Sequence, residues 1–454
     1  MEKQNKLIFN MLSRLTNYLI LLFLFALPFQ TRWIIEYGIL NNRPWEFGTI
    51  SLYGTEFFLW LIVILTGIRI FGRPDFWKSF SNCRINADYF KMHKKNILAV
   101  LIFLFSTAVF IRSGNPISWQ FTTWFLGGIC LMISIAVSEL SFSRAGMTLW
   151  LSGVVQGVLA VQQFFYQKII GSKWLGMSAQ NSSDSGVSVV QFGDERWLRA
   201  YGSFGWPNSL GIYLAVIFVL GLILYFYFSK TKWRILILVG QLIILTGLLL
   251  SFSRGAWLAA VGGLLIFGLI AWNNLPFEFT RRKFYSQFVK QLAVYAVLVI
   301  SLVTIYFPVF TNRFNTGNYL EYLSITERQD QLNVAGQMIS DNLFFGVGPG
   351  LYTNYLARYF VSPTYGVYQP VHNIFLLALA ELGIFVFLFI LVFVFWLIKK
   401  IGRAGPIYFS VLTVLFLAGF YDHFLWSLYA GQLIWWVVLA LGLMLKKSQS
   451  NIEK

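Results

Sequence analysis

Charged residues are scarce in this sequence, and cysteine and histidine are scarcer still. Only 12% of the 454 residues are charged, about half the roughly 25% typical of soluble domains. This shortage excludes both a soluble multidomain protein and a disordered one, because disordered segments are polar and rich in charge. In their place the chain has 57% hydrophobic residues and a mean hydropathy of +0.66, which predicts a polytopic membrane protein.

The two cysteines and three histidines narrow the possible chemistry. Cys83 lies in a basic loop and Cys130 lies within a hydrophobic run, so the pair does not suggest a disulfide. His93 lies among lysines, whereas His372 and His423 each lie at the edge of a hydrophobic run. No metal-ligand spacing of His, Cys or paired Asp appears, and we expect neither a metal nor a cofactor.

Long hydrophobic runs recur along the whole chain. Since a helix needs about 20 mostly apolar residues to cross a bilayer, they predict one all-α integral membrane domain (residues 1–454) with about 12 transmembrane helices. The predicted spans lie near 15–30, 50–70, 96–111, 119–138, 147–166, 208–229, 234–251, 255–272, 291–309, 373–397, 407–424 and 428–445. Two double-length runs are read as helical hairpins, with Arg254 and Asp422 at their turns.

The distribution of Lys and Arg over the loops predicts the orientation. Twelve spans put both termini on one side, and 24 of the 35 Lys and Arg residues fall there, so we assign that side to the cytoplasm. The net charge of +17 then reflects topology and not a nucleic-acid partner. Two polar loops, 167–207 and 310–371, face outward, the second of them between spans 9 and 10. In a bacterium this is a protein of the inner (cytoplasmic) membrane with a site facing the periplasm or the exterior.

Two arginines lie at the outward ends of predicted spans. Arg199 precedes a turn or helix start at Pro207 and Asn208. Arg254 follows small residues that permit a tight turn and leave its guanidinium isolated at the membrane boundary. Such an arginine costs free energy unless it meets an anion, and a phosphate suits its planar donors. Anchoring to lipid head groups is the alternative interpretation of both residues.

The large outer loop contains a predicted amphipathic helix over about 326–340. Thr326 and Gln329 form a capping-box pattern, which puts Arg328 in the first helical turn. A helix N terminus with an arginine can bind an anion, although a surface ion pair with a neighbouring acid is an equal alternative. The turn at 346–350 lacks the Lys-Ser/Thr of a nucleotide P-loop, so we interpret it as structural.

A histidine at the membrane edge can act as general base on a hydroxyl, since its unperturbed pKa is near neutrality. His372 and Asn373 begin the tenth predicted span, and His423 lies at the last outward turn. Helix capping by such a histidine is the alternative. Glu56 and Glu381 lie near the outer ends of their spans, and we expect one of these carboxylates to pair with one of the arginines.

Several of these segments together resemble the O-antigen ligase and polymerase family over about residues 195–385. Each motif is short, but their order, spacing and outward placement form a strong joint signal, while the first 165 residues match only as hydrophobic spans. The matching residues are Arg199, Gly202, Pro207-Asn208-Ser209-Leu210-Gly211, Ser253-Arg254-Gly255-Ala256, Asp341 to Gly350, His372-Asn373, Ala380-Glu381-Leu382-Gly383 and, more weakly, Asp422-His423.

The resemblance implies a GT-C-like membrane glycosyltransferase that needs no metal. Its donor would be a glycan on undecaprenyl diphosphate, its acceptor a glycan or lipid core, and membrane lipids would surround it. Carried over, Arg199 and Arg254 bind the diphosphate with help from Arg328, and His372 is the base. The supporting residues would be Asn373, Glu381, Asp422 and His423. Trp206 replaces the small or histidine residue that many members have before Pro-Asn, which leaves the acceptor side undefined.

Three alternatives stay open at this point. A polymerase that extends the lipid-linked glycan would share every motif with a ligase and differ in its acceptor. A secondary transporter would have ionisable residues at the midplane and paired broken helices from two repeats, whereas here the charges lie near the outer edge and no repeat is visible. A structural membrane component would not need the edge arginines and histidines.

Overall fold

The computed structural model describes residues 2–40, 42–72, 114–273, 280–315, 317–359, 368–402 and 405–450, and most of these residues are helical. The helices are α1 (Glu2–Ala26), α2 (Gly54–Phe71), α3 (Pro116–Val137), α4 (Phe142–Tyr166), α5 (Pro207–Tyr227), α6 (Thr231–Leu250), α7 (Arg254–Asn273), α8 (Arg281–Ile305), α9 (Phe307–Asn312), α10 (Tyr319–Asp341), α11 (Tyr352–Tyr359), α12 (Ile374–Gly402), α13 (Phe409–Tyr421), α14 (Phe424–Ser427) and α15 (Tyr429–Ser450).

Nine helices in this described part of the chain are long and apolar enough to cross a membrane. They match the first, second and fourth to tenth predicted spans, and two shorter apolar helices, Pro406–Tyr421 and Tyr429–Leu445, match the last two. The third predicted span, Cys83 and His93 lie outside the described residues. The polytopic helical class is confirmed, whereas the total of 12 spans, the GT-C-like architecture and the assignment of the outer loops stay predictions.

Helix α5 lies at the centre of the bundle and explains how the other helices are arranged. It is apolar around its whole circumference, as expected for a helix with no solvent-facing side, and 94% of its membrane-length window is buried inside the protein. Pro207 occupies its first turn, where the missing N–H costs nothing. Helices α4, α6, α7 and α13 pack around it, so their ends meet at the ends of α5.

The predicted hairpin turn between α6 and α7 is present. Phe252 takes a left-handed conformation with φ of 48°, which reverses the chain within three residues. The Trp257 indole N–H closes the turn by donating to the Leu248 carbonyl at 2.9 Å. The loop before α5 is attached here as well, since the Ala200 N–H donates to the Leu250 carbonyl at 2.9 Å.

Short strands occur in two segments, one that includes the first residues of the predicted span 50–70 and one in the predicted outer loop 167–207. The first segment contains β1 (Arg32–Glu36), β2 (Ile39–Leu40), β3 (Arg43–Pro44) and β4 (Ile50–Tyr53), with β1 antiparallel to β4 and β2 antiparallel to β3. The second contains β5 (Lys168–Ile169), β6 (Gln180–Asn181), β7 (Val189–Phe192) and β8 (Glu195–Leu198), paired β5 with β6 and β7 with β8. These ladders fix the connections between spans through backbone hydrogen bonds.

Helix α12 is interrupted at Gly383, whose φ of 72° and ψ of 170° are far from helical values. The segment between α10 and α11 fills the interruption. The Ile384 N–H donates to the Leu343 carbonyl at 2.8 Å, and the Val347 N–H donates to the Ala380 carbonyl at 2.9 Å. The Gly-Pro turn that we interpreted as structural therefore satisfies the backbone groups that the interrupted helix frees.

Gly383→Ala tests this interruption. A Cβ at position 383 would lie 2.3 Å from the Phe344 carbonyl oxygen, in a backbone region that only glycine adopts readily. We expect the variant to lose about 3 kcal/mol of stability, measured as a lower thermal unfolding midpoint of the detergent-solubilised protein. Gly67→Ala is the control, because the nearest atom to its new Cβ lies 4.0 Å away within α2. Equal midpoints for the two variants would contradict this account.

Candidate functional site

One amide, that of Asn208, joins three connections at the start of α5. Its Oδ1 accepts a hydrogen bond from Arg199 Nη2 at 2.6 Å, and its Nδ2 donates to Asp422 Oδ2 at 2.9 Å. Arg199 Nε also donates to the carbonyl oxygen of Ser251 at 2.9 Å. The loop before α5, the α6–α7 turn and the turn after α13 are thus held together by a chain of side-chain hydrogen bonds.

A second group of side chains lies beside this chain and centres on Glu321. This residue lies in the first turn of α10 and is 4% exposed. Its carboxylate forms ion pairs with Arg254, at 3.2 Å, and with Arg313. Arg313 Nε also donates to the Phe252 carbonyl at 3.0 Å, and Arg254 Nη1 donates to the Arg313 carbonyl at 3.1 Å. The expectation that Arg254 is isolated is therefore wrong.

The expected pairing of Glu56 or Glu381 with an arginine is not found in the described part of the chain. Glu56 accepts a hydrogen bond from the Tyr53 N–H in a capping box. Glu381 accepts hydrogen bonds from the backbone N–H of Gly350 at 2.9 Å and from Trp426 Nε1 at 2.8 Å. Backbone and indole N–H groups thus satisfy these two carboxylates locally, and Glu321 is the carboxylate that pairs with Arg254 and Arg313.

Arg328 belongs to the cluster, but not for the reason that its sequence suggested. Helix α10 begins at Tyr319, capped by the side chain of Asn318, seven residues before the predicted start. The Thr326 hydroxyl donates back to the Tyr322 carbonyl at 3.1 Å within the helix, so the predicted capping box is wrong. Arg328 therefore lies in the third turn and not at a helix N terminus.

The electrostatics of this arginine cluster are unbalanced. In the described residues, Arg199, Arg254, Arg313 and Arg328 share two carboxylates, Glu321 and Asp422. Burial lowers the pKa of Arg199, and the charge of Arg313 lowers it further. Burial also lowers the pKa of Arg313 against the opposing effect of Glu321, and the charge of Arg254 adds to the lowering. Burial lowers the pKa of Arg328 as well, with Asp422 opposing the effect and Arg254 adding to it.

Since guanidinium groups stay protonated in proteins, these directions reflect chiefly the cost of burying the positive charges, to which the neighbouring arginines add. No described residue is in hydrogen-bond or ion-pair contact with the Arg328 guanidinium. A narrow cleft opens between these groups, lined by Asn208, Ser253, Arg254, Arg313, Arg328 and Asp422. A cleft with excess positive charge and planar donors suits a phosphate-type anion.

Two histidines lie at the edge of the cluster, with ring centroids 5.1 Å apart. His372 Nδ1 lies 2.8 Å from Gln331 Oε1. With the amide oxygen placed as the acceptor, this contact requires the proton on Nδ1 and leaves Nε2 unprotonated. His423 Nδ1 lies 2.6 Å from the Ser427 hydroxyl. His372 is thus held in the tautomer that a general base needs.

Burial and neighbouring charges set the protonation of these groups. Burial, followed by the nearby His423, lowers the pKa of His372, and the Arg328 charge lowers it further against the opposing effect of Asp422. Burial alone would raise the pKa of Asp422, but the two histidines and the hydrogen bonds from Phe424 N–H and Asn208 lower it overall. The site therefore combines a neutral histidine with an ionised carboxylate.

Two predicted supporting residues, Glu381 and Asn373, lie outside the arginine cluster. Glu381 is 3% exposed and holds the segment 350–352 against α12, since its carboxylate also accepts from the Tyr352 N–H at 3.3 Å. Asn373 Oδ1 accepts from the N–H groups of Phe375 at 3.0 Å and Leu376 at 3.1 Å, which caps α12. Both residues position the backbone around His372.

The sequence analysis did not predict three residues of the site: Arg313, Glu321 and Gln331. Asn318 and Glu321 have the spacing of a helix cap and its acidic partner, which would have located the true start of α10. Gln331 follows Arg328 by three residues, so the two share a helix face. Arg313 carries no local pattern that distinguishes it from any other polar residue after an apolar segment.

Comparison with known proteins adds one match. A family model described as O-Antigen ligase matches residues 239–391. This range runs from within α6 to within α12 and includes Arg254, Glu321, Arg328 and His372. A search of curated proteins finds no match to the chain.

Glu321→Gln tests the charge balance of the cluster. It keeps the side chain's volume but removes the counter-charge of two arginines. Leaving buried charge uncompensated costs about 3–5 kcal/mol, so we expect a marked fall in the thermal unfolding midpoint. Sodium sulfate, compared with sodium chloride at equal ionic strength, should restore part of the loss, because the anion can occupy the cleft.

Glu139→Gln is the matched control for this experiment. The Glu139 carboxylate is 63% exposed and lies 3.5 Å from the buried guanidinium of Arg69. Because water screens the exposed carboxylate, this pair contributes less than the buried pairs of Glu321. Sulfate should stabilise this variant only as much as it stabilises the wild type, through its general exclusion from protein surfaces. An equal sulfate effect on Glu321→Gln would show that the cleft does not take up the anion.

Proposed function

From the premise that residues 239–391 belong to the O-antigen ligase family, we propose that this chain is a glycosyltransferase of the membrane. It moves a glycan from undecaprenyl diphosphate to an acceptor hydroxyl on the outer face of the membrane. The family and the long apolar helices support a membrane protein of glycan processing. The observation that carries the finer proposal is the excess of arginines beside a histidine held in the tautomer of a base.

Arg254, Arg313 and Arg328 are proposed to bind the diphosphate. Arg328 has no hydrogen-bond or ion-pair partner in the described residues, and Arg254 is about one quarter exposed, so both can reach a ligand. Hydrogen bonds between guanidinium and phosphate are stronger in a partly dry site than in water. Arg199 has a different role in this proposal. It is 8% exposed and is bound to Ser251 and Asn208, so it positions the cleft and does not grip the donor.

His372 is proposed to activate the acceptor. Its Nε2 takes the proton of the acceptor hydroxyl while that oxygen bonds to C1 of the donor sugar. The bond between C1 and the phosphate oxygen breaks, and its electron pair leaves with undecaprenyl diphosphate, whose charge the arginines stabilise. The imidazolium then returns its proton to the solvent. Asp422 stabilises the imidazolium electrostatically, and His423 fixes the ring from the side.

A polymerase that extends the lipid-linked glycan is the second candidate, since it would use the same donor site. Chemical analysis of glycans in a deletion strain separates the two. Long chains that accumulate on the lipid carrier indicate a ligase, whereas the loss of long chains on every carrier indicates a polymerase. The absence of a metal or cofactor requirement stays a prediction.

Arg254→Ala and His372→Ala test the two roles. Each variant should insert and fold but transfer glycan at least about 100-fold more slowly, because one removes a donor to the leaving group and the other the general base. The measurement is surface glycan in complemented deletion cells and the initial rate of the purified protein. Arg281→Ala is the control, since Arg281 is exposed at the start of α8. Full retention of surface glycan with Arg254→Ala would sink the diphosphate role.

The pH dependence of kcat/KM tests the proposed base. A base acts in its neutral form, and the pKa of His372 is lowered from its usual 6.5. Activity should therefore be complete at pH 6.5 and fall only as the pH drops through the lowered pKa. Arg328→Gln removes a charge that lowers this pKa, so its acid limb should move toward neutral pH whatever happens to the maximal rate. A wild-type limb at or above 6.5, or an unmoved limb in the variant, would argue against His372.

A further inference from the structure

A second pocket lies beside the histidines and is built from residues that the proposed reaction does not use. We call it the aromatic pocket, and its walls include Arg32, Glu46, Phe47, Gln120, Trp124 and Tyr352. Most of these residues come from the first third of the chain, outside the matched range 239–391. The aromatic pocket combines several aromatic rings with an ion pair and an amide.

The wall formed by the first third of the chain is held rigidly. Arg32 Nη2 donates to Glu46 Oε2 at 2.7 Å as part of a two-pronged ion pair, which links β1 to the turn before β4. Gln120 Oε1 accepts from the Ser51 N–H at 2.7 Å and so attaches β4 to α3. A two-pronged pair and a strand tied to a helix preorganise the wall for a ligand.

Two buried polar groups in the walls of this pocket, the Tyr352 hydroxyl and the Trp124 indole N–H, have no hydrogen-bond partner in the described residues. Tyr352 is only 1% exposed, and its hydroxyl has no hydrogen bond in the described part of the chain. Burying an unpaired hydroxyl is costly, so a ligand that supplies the missing partner is favoured. Sugars have hydroxyl edges and apolar C–H faces, which match the polar groups and the rings of the aromatic pocket.

The aromatic pocket and the arginine cleft lie on either side of the histidine pair along the chain. Pro370 lines the aromatic pocket and precedes His372 by two residues. Asp422 lines the cleft, Ser427 lines the pocket, and His423 lies between them and binds Ser427. The pocket and the cleft share no lining residue. The two cavities are therefore separate, and both have lining residues next to the histidines, so donor and acceptor can bind in different places beside one base.

Trp206 connects the start of α5 to a wall of the aromatic pocket. Its ring stacks on Phe47, with centroids 6.2 Å apart and an interplanar angle of 12°. Phe47 in turn meets the His423 ring edge-on at 5.6 Å. Trp206 is the position at which this chain departs from the resemblance noted above, and it supports a wall of the aromatic pocket.

We propose that the aromatic pocket binds the acceptor sugar. His372 removes the proton from a hydroxyl of this sugar, and the hydroxyl oxygen then attacks C1 of the donor. This inference rests on the proposed function, because it needs a donor diphosphate in the arginine cleft. It assigns recognition of the acceptor to Arg32, Glu46, Phe47 and Tyr352. The occupant is the acceptor and not the donor sugar, because the donor is tied to the diphosphate in the arginine cleft, which shares no lining residue with the aromatic pocket.

Tyr352→Phe is the decisive variant, since it removes one unpaired oxygen and changes nothing else. The donor probe is the undecaprenyl-diphosphate glycan extracted from the host cells. The acceptor probe is the oligosaccharide released from the host's envelope glycolipids. We expect the acceptor KM to rise about 3- to 10-fold, as for the loss of one hydrogen bond, with the donor KM and kcat unchanged. Thermal stability should not fall, because the lost hydroxyl has no partner in the protein.

Tyr285→Phe is the matched control. Its hydroxyl is also buried without a partner in the described residues, and it packs against Trp272 near the start of α8, away from the aromatic pocket. This variant should leave both KM values unchanged. Glu46→Gln is a second test, because it weakens the grip on Arg32 and should raise the acceptor KM alone.

The outcomes separate this inference from the function on which it rests. An unchanged acceptor KM in Tyr352→Phe and Glu46→Gln, with normal transfer by the wild type, overturns the acceptor pocket and leaves the proposed function intact. A rise in the donor KM alone assigns the pocket to the donor glycan and equally overturns the inference. Absence of transfer by the wild type contradicts the proposed function and the inference together.

Discussion

The Asn208 amide is the contact on which the site depends. It accepts from Arg199 and donates to Asp422, and so it fixes three chain connections at the end of the most deeply buried helix. Both partners are nine-tenths or more buried, where a hydrogen bond to a charged group is strong and its loss leaves a charge unpaired. Because α5 is surrounded by other helices, this end of the bundle is a rigid support for the site residues that α10 contributes.

Two features near this end of the bundle leave polar groups unsatisfied in the free protein. The arginine cluster has more positive than negative charge, and the Tyr352 hydroxyl is buried without a partner. Both cost stability in the free protein, and proteins commonly retain such costs where a ligand removes them. In the proposed reaction the diphosphate balances the arginines and the acceptor sugar meets the hydroxyl. The two incomplete places belong to separate cavities near the histidines, where the proposed exchange of bonds takes place.

The fold was predictable where it depends on local pattern. Apolar runs located the helices because each span must be lined by apolar side chains, and small residues around Arg254 located the α6–α7 turn. The carboxylate that pairs with Arg254 was not predictable in this way. Glu321 reaches it only because α10 begins at Tyr319 and folds back over the turn, which is a long-range packing result. Glu381 seemed a natural partner in the sequence, but the interruption at Gly383 brings backbone donors to it.

Helix α10 carries both a share of the anion site and the residue that orients the base. Glu321 and Arg328 lie on one part of it, and Gln331, one turn further on, sets the proton position on His372. Lifting this helix to admit a lipid-linked sugar would release the imidazole and disperse the positive charge in a single motion. An enzyme with this helix lifted would therefore be inactive. Water that enters with the substrate would not be activated by His372, so the donor glycan would not be hydrolysed.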